Sequence, residues 1–177
     1  MSASFTQKTK VALIDRTISK QGKIWLQKGG KLRIKYIGNN EKTYVSDGTT
    51  LWIFIPGDKA SLETYAVNQK TIPKEALSFL NGFSKLSSLF KVEENTALKK
   101  TDKSEIALKL YPKNSKALYK SLDVLFNKNG LTKEVVIENI SKNISTYKFS
   151  DIKVDAKPKE GFFTLSSGKA TPDTLPE

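Results

Sequence analysis

Residues 46–56 read SDGTTLWIFIP, and this stretch decides the fold. Asp47 and Gly48 are a tight-turn signal, and the residues after them are apolar at nearly every position up to Ile55. A short run rich in aromatic and β-branched residues is typical of a strand that is covered on both faces. Pro56 then ends the strand, because proline has no amide proton to donate to a sheet. The stretch therefore predicts a turn, a buried strand and a second turn.

On both sides of this stretch the dominant period of the apolar residues is two. Leu32, Ile34 and Tyr36 share one strand face, and Gly29 and Gly30 before them supply the positive φ of a hairpin turn. Alternation and turn signals predict further strands over residues 5–11, 18–27, 41–46, 61–67, from 91, 106–110, 117–127, 131–138, 144–154 and, as a last candidate, 162–165. These segments predict an antiparallel sheet, since strands do not alternate regularly with helices.

The period changes between Pro73 and Phe90, where apolar residues recur every three or four positions. This spacing predicts helices that start at Pro73 and are interrupted at residues 81–82. We therefore expect a mainly β fold with α: an incomplete antiparallel β-barrel of about 10–11 strands covered by a helical lid. The predicted domain spans residues 1–165, and residues 166–177, which are poor in apolar side chains, form a loose tail.

The composition disfavours an enzyme. The chain of 177 residues has no His and no Cys, which excludes a Ser-His-Asp triad, a thiol nucleophile, a zinc finger and a disulfide. We predict no catalytic residue, no metal site and no cofactor. Glu93, Glu94, Glu134 and Glu138 are interleaved with lysines and are predicted to be solvated surface.

The net charge of +12 comes almost entirely from lysine, because Arg16 and Arg33 are the only arginines. Proteins that read nucleic-acid sequence rely on arginine for bidentate base contacts, so we predict no nucleic-acid partner. A lysine-rich surface is instead typical of solubility or of diffuse attraction to anionic partners. No stretch reaches 18 apolar residues, so the sequence predicts no membrane-spanning helix.

The candidate site is apolar. Its predicted lining lies in the first hairpins, at Trp25, Leu32, Ile34, Tyr36, Trp52 and Phe54, and its predicted cover lies in the helical segment, at Leu77, Leu80, Phe83, Leu86 and Phe90. Two interpretations are open: these residues pack as an ordinary core, or they enclose a cavity for an apolar ligand. The inward faces of Trp25 and Trp52 are also open, since both chain neighbours of each are apolar.

Four short segments, in order, resemble the periplasmic outer-membrane lipoprotein carrier proteins (LolA-like). Residues 3–7 (ASFTQ) resemble the family's A-x-F-x-Q opening, and residues 22–26 (GKIWL) resemble its G-x-L-W-hydrophobic segment. Residues 46–56 resemble S-D-G-x-x-L-W-x-Y-x-P, which is the most specific match, and residues 108–113 (LKLYPK) resemble L-x-L-x-P-K. The resemblance covers roughly residues 3–165.

The resemblance implies an incomplete barrel with a helical lid over an apolar cavity, in a protein that is not an enzyme. It implies a periplasmic monomer that takes acylated lipoproteins from an inner-membrane ATP-driven release complex to an outer-membrane receptor. Family members carry a signal peptide and an N-terminal helix before the A-x-F-x-Q segment; neither is present in the printed sequence, which predicts a trimmed chain. The alternative on the same fold is a lipid-binding or envelope-stress sensor.

The resemblance also singles out Lys28. In the family a basic residue in an R-P-x-x-x motif after the G-x-L-W strand is linked to the lid, and Lys28 and Gly29 occupy the matching positions. Lysine keeps the charge but lacks the planar fork of arginine. Lys28 is therefore a candidate lid latch, and its alternative role is that of an ordinary turn lysine. Leu32, four residues later, matches a position associated with cargo handling.

Overall fold

The computed structural model describes residues 1–38, 41–67 and 86–165. This part of the chain contains eleven strands and one helical turn. They are β1 (Ser2–Val11), β2 (Arg16–Gln27), β3 (Lys31–Tyr36), β4 (Thr43–Asp47), β5 (Thr50–Ile55), β6 (Asp58–Ala66), α1 (Leu86–Leu89), β7 (Phe90–Glu94), β8 (Ile106–Pro112), β9 (Tyr119–Phe126), β10 (Thr132–Asn139) and β11 (Ile144–Lys153).

The strands form one open antiparallel sheet in the order β6-β5-β4-β3-β2-β1-β11-β10-β9-β8-β7. The prediction of an antiparallel sheet of about 10–11 strands is thereby confirmed. The chain divides into two compact units. The first unit comprises residues 1–3, 22–82 and 153–177, and the second comprises residues 4–21 and 83–152.

The predicted helical segment coincides with the described residues only at its end. Leu77, Leu80, Phe83 and the side chain of Leu86 lie outside the described residues, and so does most of the predicted lid. The chain is helical at Leu86–Leu89, but Phe90 was wrongly placed in the helical segment, since it is the first residue of β7. It pairs with Pro112 of β8, so sheet pairing prevails there over the apolar spacing.

The C-terminal prediction also needs correction. Residues 160–163 form a turn and residues 164–165 are not in a strand, so the last strand expected over residues 162–165 is wrong. The Phe162 amide donates to the Lys159 carbonyl (3.2 Å) and the Thr164 amide donates to the Gly161 carbonyl (3.1 Å), which are local turn bonds. Gly161 has φ +78°, a left-handed conformation that interrupts extended backbone there. The predicted tail, residues 166–177, lies outside the described residues.

In the first unit the register fixes which side chains share a face. Leu32 of β3 lies opposite Leu26 of β2 and Ser46 of β4, and its neighbour Arg33 lies opposite Trp25 and Val45. Side chains directly opposite each other in an antiparallel pair lie on the same face, and successive residues alternate. A slip by one residue would therefore exchange the two faces.

Two turns of the first unit meet at Gly48. A Cβ on Gly48 would overlap the carbonyl oxygen of Gly29, and Gly48 itself has φ +99°. Gly29 and Gly30 have φ +85° and +76°, which confirms the positive φ predicted for that hairpin. The turns before β3 and before β5 are therefore in backbone contact that only glycine at position 48 allows.

We expect Gly48→Ala to destabilise the protein much more than Gly57→Ala. Gly57 has φ +87°, and a Cβ added there would have no heavy atom within 4 Å, so alanine incurs only the left-handed backbone cost of about 1 kcal/mol. Alanine at position 48 also forces the Gly29 carbonyl aside, which raises the loss of unfolding free energy by about 2 kcal/mol or more. Urea unfolding followed by circular dichroism measures both, and equal losses would contradict the contact.

In the second unit one face of β8 and β9 is apolar, and the other face combines ion pairs with the buried residues Ala107 and Leu125. Leu110 of β8 lies opposite Leu122 of β9, and both are buried, as are Val124 and Phe126 on the same face. The opposite face carries ion pairs, among them Lys109–Asp123 (3.3 Å), Lys148–Glu134 (3.5 Å) and Lys120–Glu138 (3.0 Å). Phe90 is 1% exposed and belongs to this unit's core.

Glu105 bonds the loop between β7 and β8 to itself and to β10. Its carboxylate accepts hydrogen bonds from the Thr101 amide (2.7 Å), the Thr101 hydroxyl (3.0 Å) and the Asp102 amide (3.3 Å), and it pairs with the Lys133 ammonium of β10. The Lys133 hydrogen bond, together with the bonds from Thr101, lowers the pKa of Glu105 from 4.5 to about 2. The buried carboxylate is therefore a structural group that holds the loop on β10.

This depressed pKa predicts acid sensitivity. The unfolded chain binds a proton at Glu105 near pH 4.5, whereas the folded chain resists protonation until about pH 2. The stability from Glu105 is therefore complete above pH 4.5 and is lost as the pH falls toward 2. Glu105→Gln should lower the unfolding free energy at pH 7 and flatten its dependence on pH in that range.

The measurement is urea unfolding at a series of pH values between 2 and 7. Glu94→Gln is the control, because Glu94 is exposed and pairs with Lys100 at 3.4 Å on the surface. A pH dependence that is unchanged in Glu105→Gln would contradict the role given to this carboxylate.

Candidate functional site

One face of the first unit carries a continuous aliphatic and aromatic surface, here called the apolar face. Its members share one side of strands β2 to β5 in the observed register: Leu26, Leu32, Ile34, Tyr36, Tyr44, Leu51 and Ile53. Leu26 faces Leu32, and Ile34 faces Tyr44, which in turn faces Ile53. On this face β2, β3 and β5 place apolar residues at alternate positions, and β4 places Tyr44 and the buried Ser46 there.

The apolar face is only partly covered. Leu32 and Leu51 are buried at its centre, while Leu26, Ile34, Tyr44, Ile53 and Val67 pack around them and are half-buried. The Tyr36 and Tyr44 rings meet edge to face with 6.2 Å between their centroids. Half-buried aliphatic side chains around a buried centre form a surface on which a further apolar group can gain contact area.

A polar group borders the apolar face at the edge strand β6. Glu63 lies opposite Ile53, and its carboxylate accepts hydrogen bonds from the Tyr65 hydroxyl (2.6 Å) and the Lys42 ammonium (3.0 Å). The Tyr65 hydrogen bond and then the Lys42 contacts lower the pKa of Glu63, and the same carboxylate raises the pKa of both partners. Glu63 is therefore ionised and paired with a cation, so the apolar face ends at a charged pair on this side.

The opposite face of the first unit is closed by the C-terminal segment. Trp25, Val45 and Phe54 are buried there, and the Phe162 ring packs edge to face on Trp25 with 5.4 Å between centroids. The buried Arg33 guanidinium lies 4.8 Å above the Phe162 ring and donates to the Phe162 carbonyl oxygen (3.1 Å). This face is an ordinary core.

The register therefore separates the predicted lining residues. Leu32, Ile34 and Tyr36 lie together on the apolar face, whereas Trp25, Trp52 and Phe54 lie on the opposite face, since Trp52 is opposite Val45 and Phe54 is opposite Thr43. The two groups cannot line one cavity. Trp25 and Phe54 match the alternative interpretation of these residues as core.

The remaining predicted residues lie elsewhere. Lys28 is exposed in the turn between β2 and β3. Phe90 belongs to the other unit, so the described residues do not place it on the apolar face. The predicted lining left out Leu26, Tyr44, Leu51 and Ile53. Hairpin register is the signal that could have found them: it puts Leu26 opposite Leu32 and Tyr44 opposite Ile34, and on the next strand it puts Ile53 opposite Tyr44 and Leu51 opposite Ser46.

The four glutamates predicted to be solvated surface, Glu93, Glu94, Glu134 and Glu138, are each paired with a lysine. Glu93 contacts Lys91 (2.8 Å), and Glu134 contacts Lys148 (3.5 Å). Within residues 1–38, 41–67 and 86–165, no group of three or more acidic side chains could hold a metal ion. The same ranges hold no helix that is long and apolar enough to cross a bilayer.

These features define a class of protein: an antiparallel β-sheet protein with one closed face and one partly open aliphatic face in its first unit. The chain belongs to the family of the outer membrane lipoprotein carrier protein LolA, whose family model matches residues 1–166. A comparison with curated proteins finds no match.

The solved structures that match this chain are distant from it in sequence. A LolA superfamily protein from Nitrosomonas europaea is 10% identical with a TM-score of 0.49, over 93% of this chain and 89% of that chain. A DUF1329 family protein from Desulfovibrio piger is 9% identical with a TM-score of 0.49, over 92% and 88%. The MucA/MucB complex of Pseudomonas aeruginosa contains a chain that is 12% identical with a TM-score of 0.40, over 94% and 56%.

Neighbouring residues of β5 should respond differently to truncation, because they lie on opposite faces. Phe54→Ala removes a buried ring and should lower the unfolding free energy by about 3–5 kcal/mol. Ile53→Ala removes a half-buried side chain from the apolar face and should cost about 1–2 kcal/mol. Urea unfolding measures both, and a larger loss for Ile53→Ala would show that the faces are assigned wrongly.

Proposed function

We propose that this protein is a periplasmic carrier that binds the acyl chains of lipoproteins on its apolar face. It takes these lipoproteins from an inner-membrane ATP-driven release complex and delivers them to an outer-membrane receptor. The observation that carries the proposal is the half-buried aliphatic surface around Leu32 and Leu51, and membership of the LolA family supports it.

The physical need for such a carrier is large. Each methylene group gains about 0.8 kcal/mol on leaving water, so an acyl chain with about 14 buried methylenes costs roughly 11 kcal/mol to expose. Leu26, Ile34 and Ile53 can gain contact area with an acyl chain because each is half-buried in the free protein. A surface that is already half-covered releases its cargo more readily than a fully open one, which suits a carrier that must give the cargo up.

The cover and the latch belong to this proposal. We propose that Leu77, Leu80, Phe83 and Leu86 cover the bound acyl chains and that Lys28 acts on that cover from the exposed turn before β3. A cover that opens and closes reconciles shielding in water with release at the receptor. The proposed cargo handling at Leu32 rests on its buried position at the centre of the apolar face.

A charge placed on the apolar face should abolish cargo binding. In Ile34→Asp and Ile53→Asp a carboxylate would have to be buried against acyl chains, which costs several kcal/mol, so we expect at least a tenfold loss of complex. The assay incubates inner-membrane vesicles that bear the release complex and a labelled lipoprotein with the protein, and measures the soluble one-to-one complex by gel filtration.

The matched control is Val154→Asp, which adds the same carboxylate at an aliphatic residue that is 56% exposed and lies outside the apolar face. We expect it to form the complex normally. If the unaltered protein yields no soluble complex, the carrier role fails. If it binds an acylated peptide but never transfers lipoprotein to the receptor, the lipid-binding sensor function takes its place.

A further inference from the structure

One end of the second unit exposes aliphatic side chains that its core does not use. They are Leu13 (93% exposed), Ile14 (56%), Leu118 (63%) and Ile140 (58%), and together they are called the apolar tip. Leu13 and Ile14 lie in the turn between β1 and β2, and Ile140 lies in the turn between β10 and β11. Leu118 directly precedes β9.

Hydrogen bonds hold these turns together. The Ala12 amide donates to the Asn143 side-chain oxygen (2.9 Å), which joins the first turn to the second. The Ile140 amide donates to the Leu118 carbonyl oxygen (3.2 Å), which joins the second turn to the start of β9. The Asn143 amide donates to the Asn139 side-chain oxygen (2.9 Å) within the second turn. The segments that carry the apolar tip are therefore neighbours at one end of the strands.

The flanks of the apolar tip are basic. Arg16, Lys116 and Lys142 are exposed beside the three segments, and the one acid of the first turn, Asp15, is paired with Lys10 at 3.1 Å. Lys142 has φ +62°, a left-handed conformation in which glycine or asparagine would be less strained. Lys142 therefore places a positive charge in the turn that contains Ile140, although its backbone conformation is unfavourable for lysine.

We propose that the apolar tip docks on the surface of an anionic lipid bilayer. Aliphatic side chains flanked by cations match such a surface, because the chains enter the boundary between headgroups and acyl chains while the cations contact anionic headgroups. A protein partner is a poorer match, since binding hot spots in protein interfaces favour Trp, Tyr and Arg over Leu. The exposed members of the apolar tip are leucine and isoleucine only.

This proposal stands apart from the carrier function. The apolar tip lies in the second unit and the apolar face lies in the first. Vesicle binding needs no lipoprotein, release complex or receptor, so the unloaded protein alone can test it. The two proposals can therefore fail independently: the protein can carry lipoproteins without binding vesicles, or bind vesicles without carrying lipoproteins.

The first experiment measures cosedimentation with vesicles of phosphatidylcholine that contain about 30% phosphatidylglycerol, enough anionic lipid to attract a basic surface, at low and high salt. The double variant Leu13→Ser with Ile14→Ser should lose about tenfold or more in binding. The control is Ile106→Ser: Ile106 is 55% exposed but pairs with Phe126, at the far end of β9 from Leu118, and its variant should bind normally.

A charge variant separates binding from folding. Lys142→Asn should reduce binding about fivefold, because each cation near an anionic surface contributes about 1 kcal/mol. It should leave the unfolding free energy unchanged or raised, because asparagine tolerates the left-handed conformation better than lysine. Urea unfolding of the same variant supplies the second measurement.

The absence of Cys allows a direct test of contact. An environment-sensitive fluorophore on the single cysteine of Leu13→Cys should shift to shorter wavelengths with the anionic vesicles, and the same label on Leu62→Cys, in β6, should not. The proposal is overturned if the label at position 13 shows no shift, if binding is equal on purely zwitterionic vesicles, or if the double serine variant binds like the unaltered protein.

Discussion

The backbone contact between Gly48 and the Gly29 carbonyl is the constraint on which the first unit depends. One of these turns precedes β3 and the other precedes β5. The contact between them therefore fixes the start of β3, with Leu32, relative to the start of β5, with Leu51. Because side chains alternate along a strand, a shift of one residue would carry Leu32 to the face that now holds Arg33. The apolar face exists only in the observed register.

The two faces of the first unit differ in what covers them. On one face Phe162 packs on Trp25, and the Arg33 guanidinium is held between the Phe162 ring and the Phe162 carbonyl oxygen. Burial of a guanidinium is costly unless its hydrogen bonds are satisfied, so this contact ties the C-terminal segment to β3. Among the described residues, the apolar face has no comparable cation at its centre, and its charged groups, Lys42 and Glu63, stand at its edge.

The sequence predicted the strands well, because alternation and turn signals are local. Glycine at positions 29, 30 and 48 predicted turns that the structure contains. The faces of Trp25 and Trp52 could not be predicted, because their chain neighbours are also apolar and a period of two is then invisible. The pairing of Trp25 with Arg33 sets its face, and Phe162, which is far away in the chain, covers Trp25 there. Phe90 was misplaced for a related reason, since helical spacing continues into a strand whose partner, β8, is distant in sequence.

The cations behind the net charge of +12 lie in two different environments. In the second unit, Lys109, Lys120 and Lys148 pair with carboxylates, so these charges are balanced within the sheet. At the apolar tip, Arg16, Lys116 and Lys142 outnumber Asp15, which Lys10 already neutralises. An excess of cations beside exposed aliphatic side chains is the combination in which electrostatic attraction and burial of apolar surface reinforce each other. Composition alone cannot separate these two uses of lysine, since it records how many cations the chain has and not which apolar surface they surround.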